Sequence, residues 1–203
     1  MKLSLRVPGG LIWAIVVVAI AVPIAAAAAS PLLQWRDPVY ILAGFAGIVG
    51  MALLLLQPLL ADGALPGLSG RRGLLLHQWI GGMLVLSVVV HVIALWITSP
   101  PDVIDALLFA SPTAFSFWGV VAMWAVFASA VLAAFRWRLR LRPRIWRLAH
   151  TSLAVVIVVG SVVHALLIDG TMETISKIAL CTLVGAATLK VIASLNIWPK
   201  QKR

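Results

Sequence analysis

The sequence has few charged residues for its length. Only 11% of its 203 residues are Asp, Glu, Lys or Arg, whereas a soluble domain carries about 25%. Hydrophobic residues make up 63% of the chain, and the mean hydropathy is +1.09. A water-facing domain could not bury so much apolar surface, so the composition indicates an integral membrane protein.

Cysteine is almost absent, since Cys181 is the only one. A single thiol excludes an internal disulfide, a CxxC metal site and a covalent CxxCH haem attachment. The chain also lacks a GxGxxG fingerprint after a predicted strand, the pattern typical of dinucleotide-binding domains.

Acidic residues are scarce, with six Asp and Glu against 16 Lys and Arg and a net charge of +10. A basic balance often marks nucleic-acid binding. Here the charges lie between long apolar runs, so membrane topology is the better interpretation and we expect no nucleic-acid partner. All six acids lie in predicted loops or at the ends of apolar runs.

Six apolar runs, each near the roughly 20 residues that cross a bilayer, predict an all-α, polytopic bundle of six transmembrane helices. The runs lie at about 11–29, 39–61, 74–97, 115–135, 146–168 and 175–195. Their connections are short, so we expect one transmembrane domain over residues 1–203. The first run resembles a signal peptide, but it continues to Ala29 and we prefer a retained helix.

Basic residues predict the orientation of the spans, because Lys and Arg are enriched on the cytoplasmic side. With six spans, one side receives Lys2, Arg6, Arg71, Arg72, Arg136, Arg138, Arg140, Arg142, Arg144, Arg147, Lys200, Lys202 and Arg203. The other side receives Arg36 and Lys177. We therefore expect both termini in the cytoplasm.

All four histidines of the chain lie in the apolar runs, where polar groups are costly and usually functional. His77 and His91 lie on the third run, and His150 and His164 lie on the fifth. The members of each pair are 14 positions apart, so at about 100° per residue both face the same side of a helix. Their separation along the helix axis is roughly 21 Å, which places one imidazole near each leaflet.

The third and fifth runs are parallel, because one span separates them. His77 is then level with His150 toward the cytoplasm, and His91 is level with His164 toward the outside. Two facing imidazoles can hold a haem iron from both sides, so the pattern predicts two b-type haems. A metal permease is the rival interpretation, which the lack of carboxylates inside the spans disfavours.

Other residues fit a haem site less specifically. Gly81, Gly82 and Gly160 could give a flat macrocycle room, although close helix packing explains each equally well. Three arginines near the level of the inner pair are candidate partners for haem propionates, and each is also explained as a topology charge. These are Arg71, Arg72 and Arg147.

Two stretches carry a family resemblance: RRGLLLHQWIGGMLVLSVVVHV (Arg71–Val92) and RPRIWRLAHTSLAVVIVVGSVVHAL (Arg142–Leu166). They resemble the ferric reductase-like transmembrane domain, over about residues 39–195. That family includes ferric reductases, the membrane half of NADPH oxidases and the haem-binding membrane subunit of bacterial methionine sulfoxide reductase systems. The resemblance implies that all four histidines are haem ligands. It also implies electron transfer from a cytoplasmic donor to an acceptor on the outer side.

The short architecture most resembles the stand-alone bacterial members, which implies a multi-pass protein of the bacterial inner membrane. Without a nicotinamide-binding motif, we expect the electrons to come from a separate flavin reductase, a free reduced flavin or quinol. An extracytoplasmic redox partner would receive them, and the chain would be the haem-binding subunit of an oxidoreductase system. The alternative is a quinol-linked cytochrome b subunit, for which Gln34, Gln57 and Gln78 are candidate quinone-site residues.

Overall fold

Residues 8–194 form a helical bundle in the computed structural model, which describes that part of the chain. Its helices are α1 (Gly9–Ala28), α2 (Pro38–Ala61), α3 (Gly70–Thr98), α4 (Pro100–Leu107), α5 (Ala114–Ala134), α6 (Pro143–Leu167) and α7 (Thr174–Ser194). No strand occurs between residues 8 and 194. All of these helices except α4 are long and apolar enough to cross a membrane, so the predicted all-α fold with six spans is confirmed.

Two helices begin three or more residues earlier than the apolar runs predict. The third span starts at Gly70 rather than at residue 74, and the fifth starts at Pro143 rather than at residue 146. Proline is favoured in the first turn because its missing N–H has no partner there in any case. As a result, Arg71 lies on the first turn of α3, and Arg147 begins the second turn of α6.

The short helix α4 was not predicted. It lies in the connection between α3 and α5 and begins with Pro100 and Pro101, which suit the first helical turn. Its apolar residues fall on one face. It therefore continues the chain after α3 ends and turns it back toward α5.

The long helices form two antiparallel hairpins. In one, α2 packs along α3; in the other, α5 packs along α6. Helix α7 packs against both α2 and α6, and α1 covers α2 and α7. The buried core lies among these helices and consists of Leu53, Leu54, Leu55, Leu84, Ala125, Val126, Ile157, Val158, Leu180 and Val184.

The two ends of the bundle differ in charge. The end where α3 and α6 begin, called here the basic end, carries the arginines between residues 136 and 147 together with Arg71 and Arg72. At this end the Lys190 ammonium lies 3.4 Å from the Asp62 carboxylate, and this ion pair joins α7 to α2.

At the opposite end of the bundle, side chains hold the connection between α6 and α7 in place. The buried Lys177 side chain donates a hydrogen bond of 2.8 Å to the carbonyl of Ile168, which caps the end of α6. Backbone amides of Ile175 and Ser176 bind the Glu173 carboxylate and hold its pKa below the ordinary value. These contacts tie the end of α6 to the start of α7.

Candidate paired-histidine site

The structure brings the four histidines together as two pairs between the hairpins. The ring centroids of His77 and His150 are 6.2 Å apart, and those of His91 and His164 are 6.3 Å apart. The first pair lies toward the basic end, and the second lies toward the opposite end. Within residues 8–194, α3 and α6 are not among the helix pairs that pack closely, so the rings face each other across a gap.

The distance within each pair suits one metal ion between two imidazoles. An imidazole nitrogen binds a metal at about 2 Å, and the ring centroid lies about 1 Å behind it, so two rings on one ion have centroids about 6 Å apart. Both observed separations agree with that value. The ring planes are nearly perpendicular, at 72° and 85°.

Three of the four rings are held through Nδ1 by a backbone carbonyl of the neighbouring helix. The acceptors are the carbonyls of Gln57 for His77 (3.1 Å), Ala43 for His91 (2.7 Å) and Phe115 for His164 (2.9 Å). A carbonyl can only accept, so in each ring Nδ1 carries the proton and donates it. The other nitrogen, Nε2, then keeps the lone pair that a metal ligand needs.

The fourth ring has side-chain partners instead. His150 Nδ1 lies 3.1 Å from the Ser129 hydroxyl. The Trp146 ring stacks on the imidazole one turn away, with centroids 5.2 Å apart and planes 12° apart. The guanidinium of Arg136 lies over the Trp146 ring, 5.0 Å from its centroid.

The Nδ1 partners of the histidines are separated along their helices by the same number of residues as the histidines themselves. Ala43 and Gln57 on α2 are 14 residues apart, as are Phe115 and Ser129 on α5. Because the paired helices are antiparallel and equally pitched, an interval on one is matched on the other. This supporting set was missed in the sequence, since a backbone carbonyl leaves no residue signature.

Two glycines allow the close approach of the rings at the opposite end. A Cβ atom at Gly119 would lie 2.7 Å from His164 Nδ1 and 2.9 Å from its Cε1. A Cβ atom at Gly47 would lie 3.3 Å from His91 Nδ1. Neither glycine was identified from the sequence as a residue of the histidine site.

The glycines for which the sequence left a haem role and helix packing equally open do not lie against the histidine rings. A Cβ at Gly160 would meet Ala122 and the Trp118 carbonyl, both at 3.0 Å, so this glycine serves the packing of α6 on α5. Gly81 faces the Gln57 side chain, and a Cβ at Gly82 would meet nothing within 4 Å. Helix packing therefore explains Gly160.

Of the remaining candidate residues, the three arginines lie at the basic end. Arg71, Arg72 and Arg147 are exposed there, near the level of His77 and His150, and their role toward propionates stays a prediction. Gln57 is engaged between helices, because its amide donates to the His77 carbonyl at 3.3 Å. Gln34 and Gln78 are exposed.

The donor set fits haem iron. Each pair offers two neutral imidazoles whose Nε2 atoms have no hydrogen-bond partner among the described residues, at a separation that admits one iron. Within the same part of the chain, no group of three or more His, Cys, Asp or Glu residues is placed to hold a metal ion. Paired imidazoles without carboxylates are the ligands expected for haem.

Comparison with family models matches residues 43–161 to the ferric reductase like transmembrane component. The match covers more than half of the chain and includes His77, His91 and His150, while His164 lies just beyond it. Comparisons with curated proteins and with solved structures gave no match. On the extent of the family match, this chain belongs to the ferric reductase-like transmembrane family.

Proposed function

We propose that the chain carries electrons across a membrane through two b-type haems. His77 and His150 hold the inner haem, and His91 and His164 hold the outer haem. The observation that carries this proposal is the pair of imidazole–imidazole distances, 6.2 and 6.3 Å, with each Nδ1 engaged by a neighbouring helix. The sequence family, whose name describes a reductase component, supports the same chemistry.

When bound, haem b supplies a one-electron redox centre. The two facing imidazoles of each pair would hold the haem, so the bound group would serve electron transfer rather than substrate binding. The Nδ1 hydrogen bonds fix the ring orientation and make each ligand more basic. Leu84 and Ile157, both buried, lie midway between the two histidines of their helices and keep the region between the pairs apolar.

The charge asymmetry supports the orientation of the two haem sites in this proposal. The basic end corresponds to the cytoplasmic side by the distribution of Lys and Arg, so the His77–His150 pair is closest to a cytoplasmic donor. The donor in this proposal is a separate flavin reductase or reduced flavin, and quinol is the alternative. The acceptor is a redox partner on the outer side, in keeping with a bacterial inner-membrane subunit whose termini are cytoplasmic.

Metal transport is less well supported. The four histidines form two separate pairs and not one continuous path. The acidic residues of the described chain lie in connections or at helix ends. A pathway for hard or borderline divalent cations favours oxygen ligands along the spans.

Electron transfer across a closed bilayer tests the proposal. Purified protein is reconstituted in vesicles that contain ferricyanide, and chemically reduced flavin is added outside. We expect haem-dependent reduction of the trapped ferricyanide at a rate at least tenfold above protein-free vesicles. Replacing flavin with quinol identifies the class of donor.

The matched control is His91→Ala, which breaks the outer pair and leaves the inner one. In those vesicles we expect reduction of the remaining haem by donor reaching the basic end, with transfer to the trapped ferricyanide falling to the protein-free rate. Equal transfer by the wild type and His91→Ala contradicts the relay.

A further inference from the structure

The two hairpins hold their histidines in equivalent ways. Each Nδ1 partner on α2 has a counterpart on α5 that lies 72 residues later, and each histidine on α3 has a counterpart on α6 that lies 73 residues later. The counterparts are Ala43 and Phe115, Gln57 and Ser129, His77 and His150, and His91 and His164. Gly47 and Gly119, which lie against the outer rings, follow the same interval.

An approximate twofold axis along the bundle would produce this correspondence between the hairpins. Both hairpins run in the same direction, since α2 and α5 end at the basic end and α3 and α6 begin there. Exchanging the hairpins exchanges the members of each histidine pair. Two ligands related in this way should hold their iron alike.

The correspondence fails at one of the four partners. At the position equivalent to Gln57, the partner of Nδ1 is the Ser129 hydroxyl and not a backbone carbonyl. A hydroxyl oxygen can accept or donate a hydrogen bond, whereas a carbonyl oxygen can only accept. When His150 binds iron through Nε2, its Nδ1 carries the proton and Ser129 must accept it.

We propose that Ser129 is a positioning residue that sets the potential of the inner haem independently of the outer one. This inference rests on the proposed function, because it presupposes haem between His77 and His150. A hydrogen bond from Nδ1 makes the imidazole a stronger electron donor, which stabilises ferric over ferrous iron. Removing the acceptor should therefore favour the ferrous state and raise the midpoint potential of that haem.

Trp146 makes the substitution informative. Its ring stacks on His150 with an interplanar angle of 12° and restrains the imidazole from the face. Loss of the Ser129 hydroxyl therefore removes the electronic effect of the hydrogen bond while the stacking contact persists. The expected result is a shifted potential rather than a lost haem.

Redox titration of Ser129→Ala tests this inference. The titration is made in a His91→Ala background, where only the inner haem remains, and in a His77→Ala background, where only the outer haem remains. We expect a positive shift of the inner midpoint with the outer midpoint unchanged. A tenfold change in the preference for ferrous over ferric iron corresponds to about 59 mV for one electron.

Two further variants separate electronic tuning from general damage. Ser129→Thr keeps a hydroxyl and should restore the inner midpoint to within the error of the wild type. Ser152→Ala removes an exposed hydroxyl two residues after His150 and should leave both midpoints unchanged. If Ser129→Ala loses the inner haem altogether and Ser129→Thr regains it, the positioning role is also supported.

Unchanged inner midpoints in Ser129→Ala, equal shifts of both haems, or failure of Thr to restore the wild-type value each overturn the inference. If the wild-type protein binds two haems but these substitutions do not change the inner midpoint potential, only this inference fails and the proposed function stands. A wild-type protein that binds no haem overturns both.

Discussion

Replacing any one of the four histidines with alanine should halve the haem content of the purified protein. Each haem needs an imidazole on both sides, and the rings meet only in the combinations His77 with His150 and His91 with His164. Loss of either partner leaves a single protein ligand and an open iron position, which lowers retention through purification. Haem per chain, measured as the pyridine haemochrome against protein mass, should fall from two to one.

Double substitutions make this prediction specific to the pairing. Two substitutions within one pair, such as His91→Ala with His164→Ala, should leave one haem, because both act on the same site. Two substitutions across pairs, such as His77→Ala with His91→Ala, should leave none. Gln78→Ala, beside His77 but exposed, is the matched control and should keep both haems. One haem remaining in the cross-pair variant would show that the pairing is wrong.

Gly119→Ala should remove the outer haem although it changes no ligand. The added methyl group would lie 2.7 Å from His164 Nδ1 and 2.9 Å from Cε1, both closer than real contacts allow. The His164 ring cannot move away without losing a hydrogen bond, because its Nδ1 donates to the carbonyl of Phe115. Phe115 is on α5, four residues before Gly119. Disturbing such a supporting contact typically costs about 10- to 100-fold in metal affinity.

A series of glycine substitutions tests the steric explanation. Gly47→Ala, where the new methyl would lie 3.3 Å from His91 Nδ1, should weaken the outer haem less than Gly119→Ala. Gly185→Ala on α7 meets nothing within 4 Å and should have no effect. Haem content and the midpoint of the inner haem are measured for all three. Retention of both haems by Gly119→Ala, at wild-type affinity, would contradict the assigned position of His164.

The sequence predicted what repeats along a single helix. The 14-residue interval placed His77 and His91 on one face of α3, and the alternation of spans made α3 and α6 parallel, so the pairing in space could be anticipated. The number of spans followed from the length of the apolar runs. These properties depend on helix geometry and bilayer thickness, which are known in advance, so the spacing of residues in one sequence is enough to predict them.

The features that support the rings depend on contacts between helices. The carbonyls of Ala43 and Phe115 have no side-chain signature, and the need for glycine at position 119 follows only from how near α5 comes to His164. The sequence left Gly160 open between a haem role and close helix packing, and it packs on α5. Sequence distance along a helix does not tell which neighbour a glycine faces.

Helix ends were also hard to predict from hydropathy. Arg71 and Arg144 lie on polar first turns that continue α3 and α6 beyond their apolar stretches. Charged residues end an apolar run without ending the helix, because a helix terminates where its backbone hydrogen bonds do. The amphipathic α4 was missed for a related reason, since eight residues are too few to register as a span.

The most direct test is the haem content and absorption spectrum of the full-length wild-type protein, purified after expression with ample haem supply. We expect two b-type haems per chain and a reduced-minus-oxidised spectrum typical of six-coordinate, low-spin iron with two imidazole ligands. A protein that is folded in detergent yet shows no haem bands would contradict the claim that the facing histidines hold iron.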